Sequence, residues 1–312
     1  MNRRGVIFMI ALTAVAVVAP ALAPYDAGRA FRDFLHAPPM RPHLDGLTPV
    51  AHPVVLVDRM EQRFAVDRSR TVPLPWFGES DLPVFLLGAD DFGRDVLSRV
   101  LYGARTSIAL ALVATLGAVF IGTLAGAWAA YRGGWVDETV MRVADFVLVL
   151  PVIYVVLVLR AILPLVLSAS TVFVLVALIF ILVGWPFVAK GVRSIVAVER
   201  NREYVQAARS LGASHSRIVF RHLVPACAGH LIVQATLLLP AFILAEATLS
   251  FIGLGFPDPV ASWGTMLAGA GNYNAIVRFP WTLAPAVAIF AVVLATNLIA
   301  LNTRRRKLLN SH

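Results

Sequence analysis

Between Lys190 and Arg221 an otherwise apolar chain turns polar and basic, and this island carries the most purposeful spacing in the sequence. Within Glu203-Tyr-Val-Gln-Ala-Ala-Arg-Ser-Leu-Gly212, the residues Tyr204, Ala207, Ala208 and Leu211 recur at i, i+3, i+4 and i+7. That interval puts four apolar side chains on one face of a short surface helix, predicted over residues 202–211. Arg202, Gln206 and Arg209 flank the face, and Gly212 supplies the left-handed residue on which such a helix ends. Pro225 closes the segment. The chemistry on offer is docking. Two adjacent alanines keep the face low, so that a partner can approach the backbone. The competing reading is a helix that simply lies against its own membrane domain.

Bond-making chemistry has little to stand on. The sequence holds no Gly-x-x-x-x-Gly-Lys-Ser/Thr loop, and neither of its lysines, Lys190 and Lys307, follows a glycine. Nucleotide phosphates therefore have no such cradle here. There is no His-Glu-x-x-His and no Gly-x-Ser-x-Gly elbow, and His36, His43 and His52 fall in a proline-rich stretch where solvated surface is the expected role. Cys227 stands alone, which excludes an internal disulfide and any cysteine-based metal cluster. The expectation is a non-enzyme with no cofactor and no bound metal.

The elements that carry the island belong to a membrane. Of 312 residues, 59% are hydrophobic and only 14% charged, and the mean hydropathy is +0.78. A soluble domain of this length needs far more polar surface. The net charge of +9 does not form a nucleic-acid patch, because the basic residues are divided among short segments beside apolar runs. Those runs lie near residues 6–24, 107–130, 143–188, 226–250 and 281–301. The third is more than twice as long as a crossing requires and must fold back, with Arg160, Pro164 and Ser168 marking the turn. Six spans result. The first follows Arg3 and Arg4 and is read as an uncleaved helix. Ala21-Leu-Ala23 leaves a signal peptide as the alternative.

An even number of spans puts both termini on one side. The N-terminus, the 131–145 loop, the island and the tail at 304–307 hold fifteen Lys/Arg against five Asp/Glu, so the positive-inside rule places them in the cytoplasm. The large segment from Tyr25 to Arg99 then faces outward. It holds eight of the 19 prolines, a strand candidate at 53–58, and a predicted surface helix from Asp90 to Tyr102. It reads either as an irregular cap or as a docking surface. Within the spans only Glu246 is a clear charge, able to line a pathway or to pair with a neighbouring helix. Ala118, Gly122 and Gly126 repeat every four residues, a pattern that lets helix backbones approach closely.

The island resembles the cytoplasmic signature of permease subunits of ATP-binding-cassette importers, Glu-Ala-Ala-x3-Gly-x9-Ile-x-Leu-Pro. Here it reads Gln206-Ala207-Ala208, Gly212, His222, Val224 and Pro225, with the spacing kept and Gln206 in place of glutamate. Leu87-Gly-Ala-Asp-Asp-Phe-Gly-Arg-Asp-Val-Leu-Ser-Arg99, Leu101–Ser107, Gly133–Glu138, Ala245–Gly255 and Ser262–Met266 are similar to the dipeptide/oligopeptide/nickel subfamily, and to its C-type subunit. The resemblance implies an all-α polytopic fold of the type I importer permease kind. It would comprise a first helix at 1–24, an extracytoplasmic loop at 25–102, a five-helix domain at 103–303 with a coupling loop at 190–225, and a basic tail at 304–312. It implies a second permease subunit, two ATPases and an extracytoplasmic binding protein as partners, lipid around the spans, and an inner-membrane location. By the same resemblance Glu203, Tyr204, Gln206, Ala207, Ala208, Leu211, Gly212 and Pro225 belong to a helix that docks on an ATPase. Peptides are the expected cargo, with nickel or another small solute as the alternative. A secondary transporter driven by an ion gradient is the rival class, and would call for more charge within the spans.

Overall fold

The computed structural model describes residues 14, 17–78, 81–162, 167–271 and 273–309. Most of the first predicted span, 1–24, lies outside them, as does Pro164. Five short strands are followed by a long series of helices. The strands are β1 (Pro42–Asp45), β2 (Thr48–Ala51), β3 (Val54–Asp58), β4 (Arg63–Val66) and β5 (Val72–Pro73). The helices are α1 (Val96–Arg132), α2 (Gly134–Val149), α3 (Val152–Ile162), α4 (Ala169–Glu199), α5 (Glu203–Ser210) and α6 (His215–Ile218). A π-turn at Val219–Leu223 leads into α7 (Val224–Ala226), α8 (Ala228–Phe251), α9 (Trp263–Gly269), α10 (Tyr273–Arg278) and α11 (Ala284–Leu309), with a 3-10 turn at Pro280–Leu283 before the last. Among the described residues, four helical stretches are long and apolar enough to cross a membrane: Val96–Arg132, Ala169–Glu199, Ala228–Phe251 and Pro280–Leu298. The chain divides into two compact units.

One unit contains residues 110–244 and the chain from Val293 onward. Its α1 segment meets α4 along the stripe of small residues. A Cβ on Gly122 would stand 2.6 Å from the Trp185 carbonyl oxygen, and one on Gly126 only 2.3 Å from that of Ala189. The backbones touch because glycine leaves them room. Gly126→Val is expected to destabilise this packing by about 1–3 kcal/mol, measurable as a lower unfolding temperature of the detergent-solubilised protein. At the same stretch of α4, Ala144 of α2 packs with Trp185 and Ala189, and Arg193 grips Asp137 in a bidentate pair at 2.6 and 2.9 Å. Lys190 also pairs with Asp145.

The apolar run at 143–188 breaks into three helices, not the two expected. The unforeseen break is at Pro151, which lacks the amide a helix interior requires. Leu150 before it is extended, with ψ 118°, as the clash with a following proline ring dictates. Of the residues expected to mark the fold-back, Arg160 lies within α3, whereas Ser168 stands outside the helices and caps α4 by accepting from the Thr171 amide.

The other unit includes residues 17–109 and 245–292. The stretch read as either an irregular cap or a docking surface has a core of its own, formed by Ala37, Met40, Ala51, Val54, Val72, Leu74, Val84, Phe85 and Ala89, and its strand candidate at 53–58 is β3. β1, β2 and β5 form one antiparallel sheet and β3 and β4 a second. The predominantly helical architecture therefore carries a small β-containing subdomain outside its spans. Tyr25, Phe31, Phe34, Phe64 and Phe85 stack around the core. The histidines are less solvated than expected: His36 stacks on Phe279 at 4.1 Å and His43 on His52 at 4.4 Å.

No surface helix runs from Asp90 to Tyr102. Residues 90–95 form a tight turn, and α1 starts only at Val96 and continues without interruption for 37 residues. Asp90 organises the turn by accepting from the Phe92 and Arg94 amides at 2.9 and 2.8 Å and from the Arg94 guanidinium at 2.7 Å. Gly93, at φ 72°, supplies its left-handed residue, and a Cβ there would strike the Phe31 carbonyl at 2.2 Å. Arg94 reaches on to Asp258 at 2.8 Å. Asp95 caps α1, accepting from the Ser98 amide at 2.7 Å.

Burial pushes the Asp95 carboxyl up to about 6. The folded state thus holds this proton more tightly than the unfolded chain, whose carboxyl stays near 3.8. Its contribution is most favourable below pH 4 and is lost as pH rises through 6, a swing of about 3 kcal/mol. Asp95→Asn is expected to flatten the pH dependence of unfolding between pH 4 and 7 relative to the parent protein. A difference curve with no slope in that window would refute the assignment.

Candidate functional site: the polar island

Helix α5 occupies residues 203–210, close to the predicted span. Its N-terminus carries Glu203 in the first turn, where a carboxylate suits the unpaired amides, and Arg209 stands in the last turn. Gly212 adopts φ 77° with open space around it. The Ala213 amide bonds back to the Ala208 carbonyl and the Gly212 amide to that of Arg209, each at 3.0 Å. This is the Schellman arrangement that terminates a helix in a left-handed residue. Ser214 then caps α6 by accepting from the Arg217 amide at 3.4 Å.

The apolar face is open. Tyr204 is 44% and Leu211 88% exposed, Ala207 is exposed, and Ala208 is half-buried. What fixes α5 in place is Val205, fully buried and on none of the predicted contact positions. The sequence pattern did hold a signal for it, since Val205 is the one β-branched residue of this helix. Tyr204 points its hydroxyl to the Glu199 carboxylate at 2.7 Å. Burial and that carboxylate hold its phenol above the ordinary range, so it stays a donor. The Gln206 amide donates to the Asn201 carbonyl at 3.1 Å, a bond that a carboxylate at this position could not make.

The remaining predicted residues do not join this face. Pro225 lies in α7, after the π-turn, where the widened backbone accommodates a residue with no amide hydrogen. Cys227 follows it and is buried. Gly122 and Gly126 pack α1 on α4. Glu246 belongs to the other unit. It is 1% exposed and accepts from the Ser107 and Ser250 hydroxyls, each at 2.7 Å. Ser107 in turn accepts from the Trp263 amide and Ser250 from the Phe256 amide, both at 3.2 Å. The carboxylate thus lies at the centre of a hydrogen-bonded hub linking α1, α8 and the start of α9.

Long apolar helices that hold out a small, exposed, capped helix define a membrane transport subunit. Residues 118–307 match the family described as binding-protein-dependent transport system inner membrane component, and the chain belongs to that family. It is similar to the oligopeptide transport system permease protein OppC of Bacillus subtilis, at 39% identity over 63% of this chain. The match spans 62% of that relative's length. It is also similar to the di/tripeptide transport system permease protein DppC of Pseudomonas aeruginosa, at 34% identity over 95% of this chain and 83% of that one. A solved structure titled as inward-facing conformations of the MetNI methionine ABC transporter covers 65% of this chain and 95% of its own at 19% identity, with a TM-score of 0.48.

Proposed function

We propose that this chain is one of two different permease subunits of an ATP-driven importer that carries di- and oligopeptides across the cytoplasmic membrane. The observation that carries the reading is the α5 face. Tyr204, Ala207, Ala208 and Leu211 stand open beyond the spans, on a helix moored by Val205 and capped at Gly212. A relative matched over nearly the whole chain is named as a di/tripeptide permease, which supports peptide as the cargo ahead of nickel.

In this reading Glu203, Tyr204, Gln206, Ala207, Ala208, Leu211 and Gly212 seat on a separate ATPase, with Pro225 shaping the return to the membrane. A second ATPase serves the other permease, and an extracytoplasmic binding protein delivers the solute. The fifteen-to-five basic bias puts both termini and the island in the cytoplasm. Six spans complete the domain, with 1–24 as the first and α2–α3 supplying the one that the four longest helical stretches leave out. The 25–102 segment forms the outer subdomain, and 304–312 the basic tail. Because ATP shifts the transporter only by favouring one state, the ATPase must grip α5 differently in the inward- and outward-facing forms.

The test is uptake of a labelled dipeptide by proteoliposomes holding the complete importer and its binding protein. Saturable, ATP-dependent uptake competed by other di- and tripeptides is expected. Competition by nickel and not by peptides would overturn the cargo assignment. Uptake driven by an ion gradient without ATP would overturn the class.

A further inference from the structure

The island touches helix α1 at a single point from three directions. Arg200, just before α5, donates to the Ala130 carbonyl. Arg209, in the last turn of α5, holds its guanidinium 5.9 Å from the centre of the Tyr131 ring. His215, which opens α6, meets the Tyr131 hydroxyl through Nδ1 at 2.6 Å. The residues before, within and after the exposed helix therefore converge on two consecutive residues in the last turn of α1.

Each contact has a physical reason to form there. The last carbonyls of a helix lack intrahelical partners, and Arg200 satisfies one of them. A guanidinium over an aromatic face gains from the ring quadrupole. A helix as short as α5 holds no geometry unaided, so a push on its outer face would be absorbed by the connecting turns unless it were braced. Tyr131 is the brace shared by α5 and α6. It lies on the 37-residue helix whose other end reaches Val96, more than the membrane thickness away at about 1.5 Å per residue.

We propose that Tyr131 is the positioning residue through which movement of the island enters the transmembrane helices, with the hydroxyl bond to His215 as its essential contact and Arg209 as the steadying one. The inference rests on the reading of α5 as the ATPase-docking helix. Tyr131 touches neither nucleotide nor cargo. Its role is to prevent slack between a docked ATPase and α1.

The test measures dipeptide uptake and ATP hydrolysis together in proteoliposomes of the complete importer. Tyr131→Phe, which keeps the ring and loses the hydroxyl, is expected to lower the number of peptides moved per ATP by about fivefold while the ATPases still copurify. His215→Ala should do the same, and the double variant should be no worse than either alone, since both remove one interaction. His215→Asn, which retains an acceptor near the position of Nδ1, should recover most of the ratio. A merely structural contact would lower yield and thermal stability and leave that ratio unchanged. Unchanged ratios in Tyr131→Phe and His215→Ala, alongside uncoupling by Gly212→Pro, would overturn the brace and leave the docking reading intact. Unchanged ratios in all three would overturn both.

Discussion

Ala208→Arg is expected to reduce ATP-dependent uptake by at least about tenfold while the two permease subunits remain associated. Ala208 is half-buried between exposed Ala207 and the capped end of α5, and an arginine there stands up from a surface kept low by methyl groups. A bulky charge without a partner at a close interface costs several kcal/mol, and most of that loss falls on the bound state. Gly212→Pro should act through the backbone. Proline is confined to negative φ, whereas Gly212 holds 77° and donates its amide to Arg209. The cap would open and α5 would be re-aimed by the chain that follows it. Both variants are read by copurification of the ATPases and by the uptake-to-hydrolysis ratio. Wild-type values for both in either variant would sink the docking assignment.

Glu246 should respond in the opposite manner, through stability first. Glu246→Leu strands the Ser107 and Ser250 hydroxyls, which now donate to the carboxylate. A buried donor left without an acceptor costs about 1–3 kcal/mol, so the pair should lower stability by about 2–6 kcal/mol, beyond what lost packing explains. Glu246→Gln retains the shape and one acceptor oxygen, and is expected to lose less than half as much. Thermal unfolding of the solubilised protein measures the difference. Equal losses would show that shape, and not hydrogen bonding, holds the hub. Strong inhibition of uptake by Glu246→Gln without any loss of stability would mark the carboxylate as part of the solute path, the alternative that the sequence left open.

Much of the island was legible because its information is local. The i, i+3, i+4, i+7 spacing from Tyr204 to Leu211 and the glycine after it describe a helix and its end within a dozen residues, and the structure forms both with a boundary shift of one residue. The break at Pro151 is equally local, but the uniform apolar run around it masks the signal. The start of α1 was misplaced for a different reason. The Asp90-to-Arg94 stretch runs straight into an apolar helical segment, but its Asp and Gly favour a turn, and Asp90 takes the amides of that turn while Gly93 must fit under the Phe31 carbonyl. That carbonyl comes from far away in sequence. Of the strands at 42–73, β3 matches the candidate at 53–58; the others are hidden, since each has only two to four residues and owes its stability to a core assembled from the whole subdomain.

The sequence by itself determined that the chain lives in a membrane, that it builds a low apolar helix outside it, and that it lacks a phosphate loop to power transport alone. Composition and short-range periodicity suffice for those conclusions, because they reflect solvent and backbone preferences acting within a few turns. Only the tertiary structure decided which side of α5 stays free, since Val205, and not the alanine face, is the side chain that is buried. Only it brought Tyr131 against His215, 84 residues apart, and gave Glu246 the two serine hydroxyls that donate to it. Contacts of that kind depend on where whole helices come to rest, and no spacing within one helix encodes them.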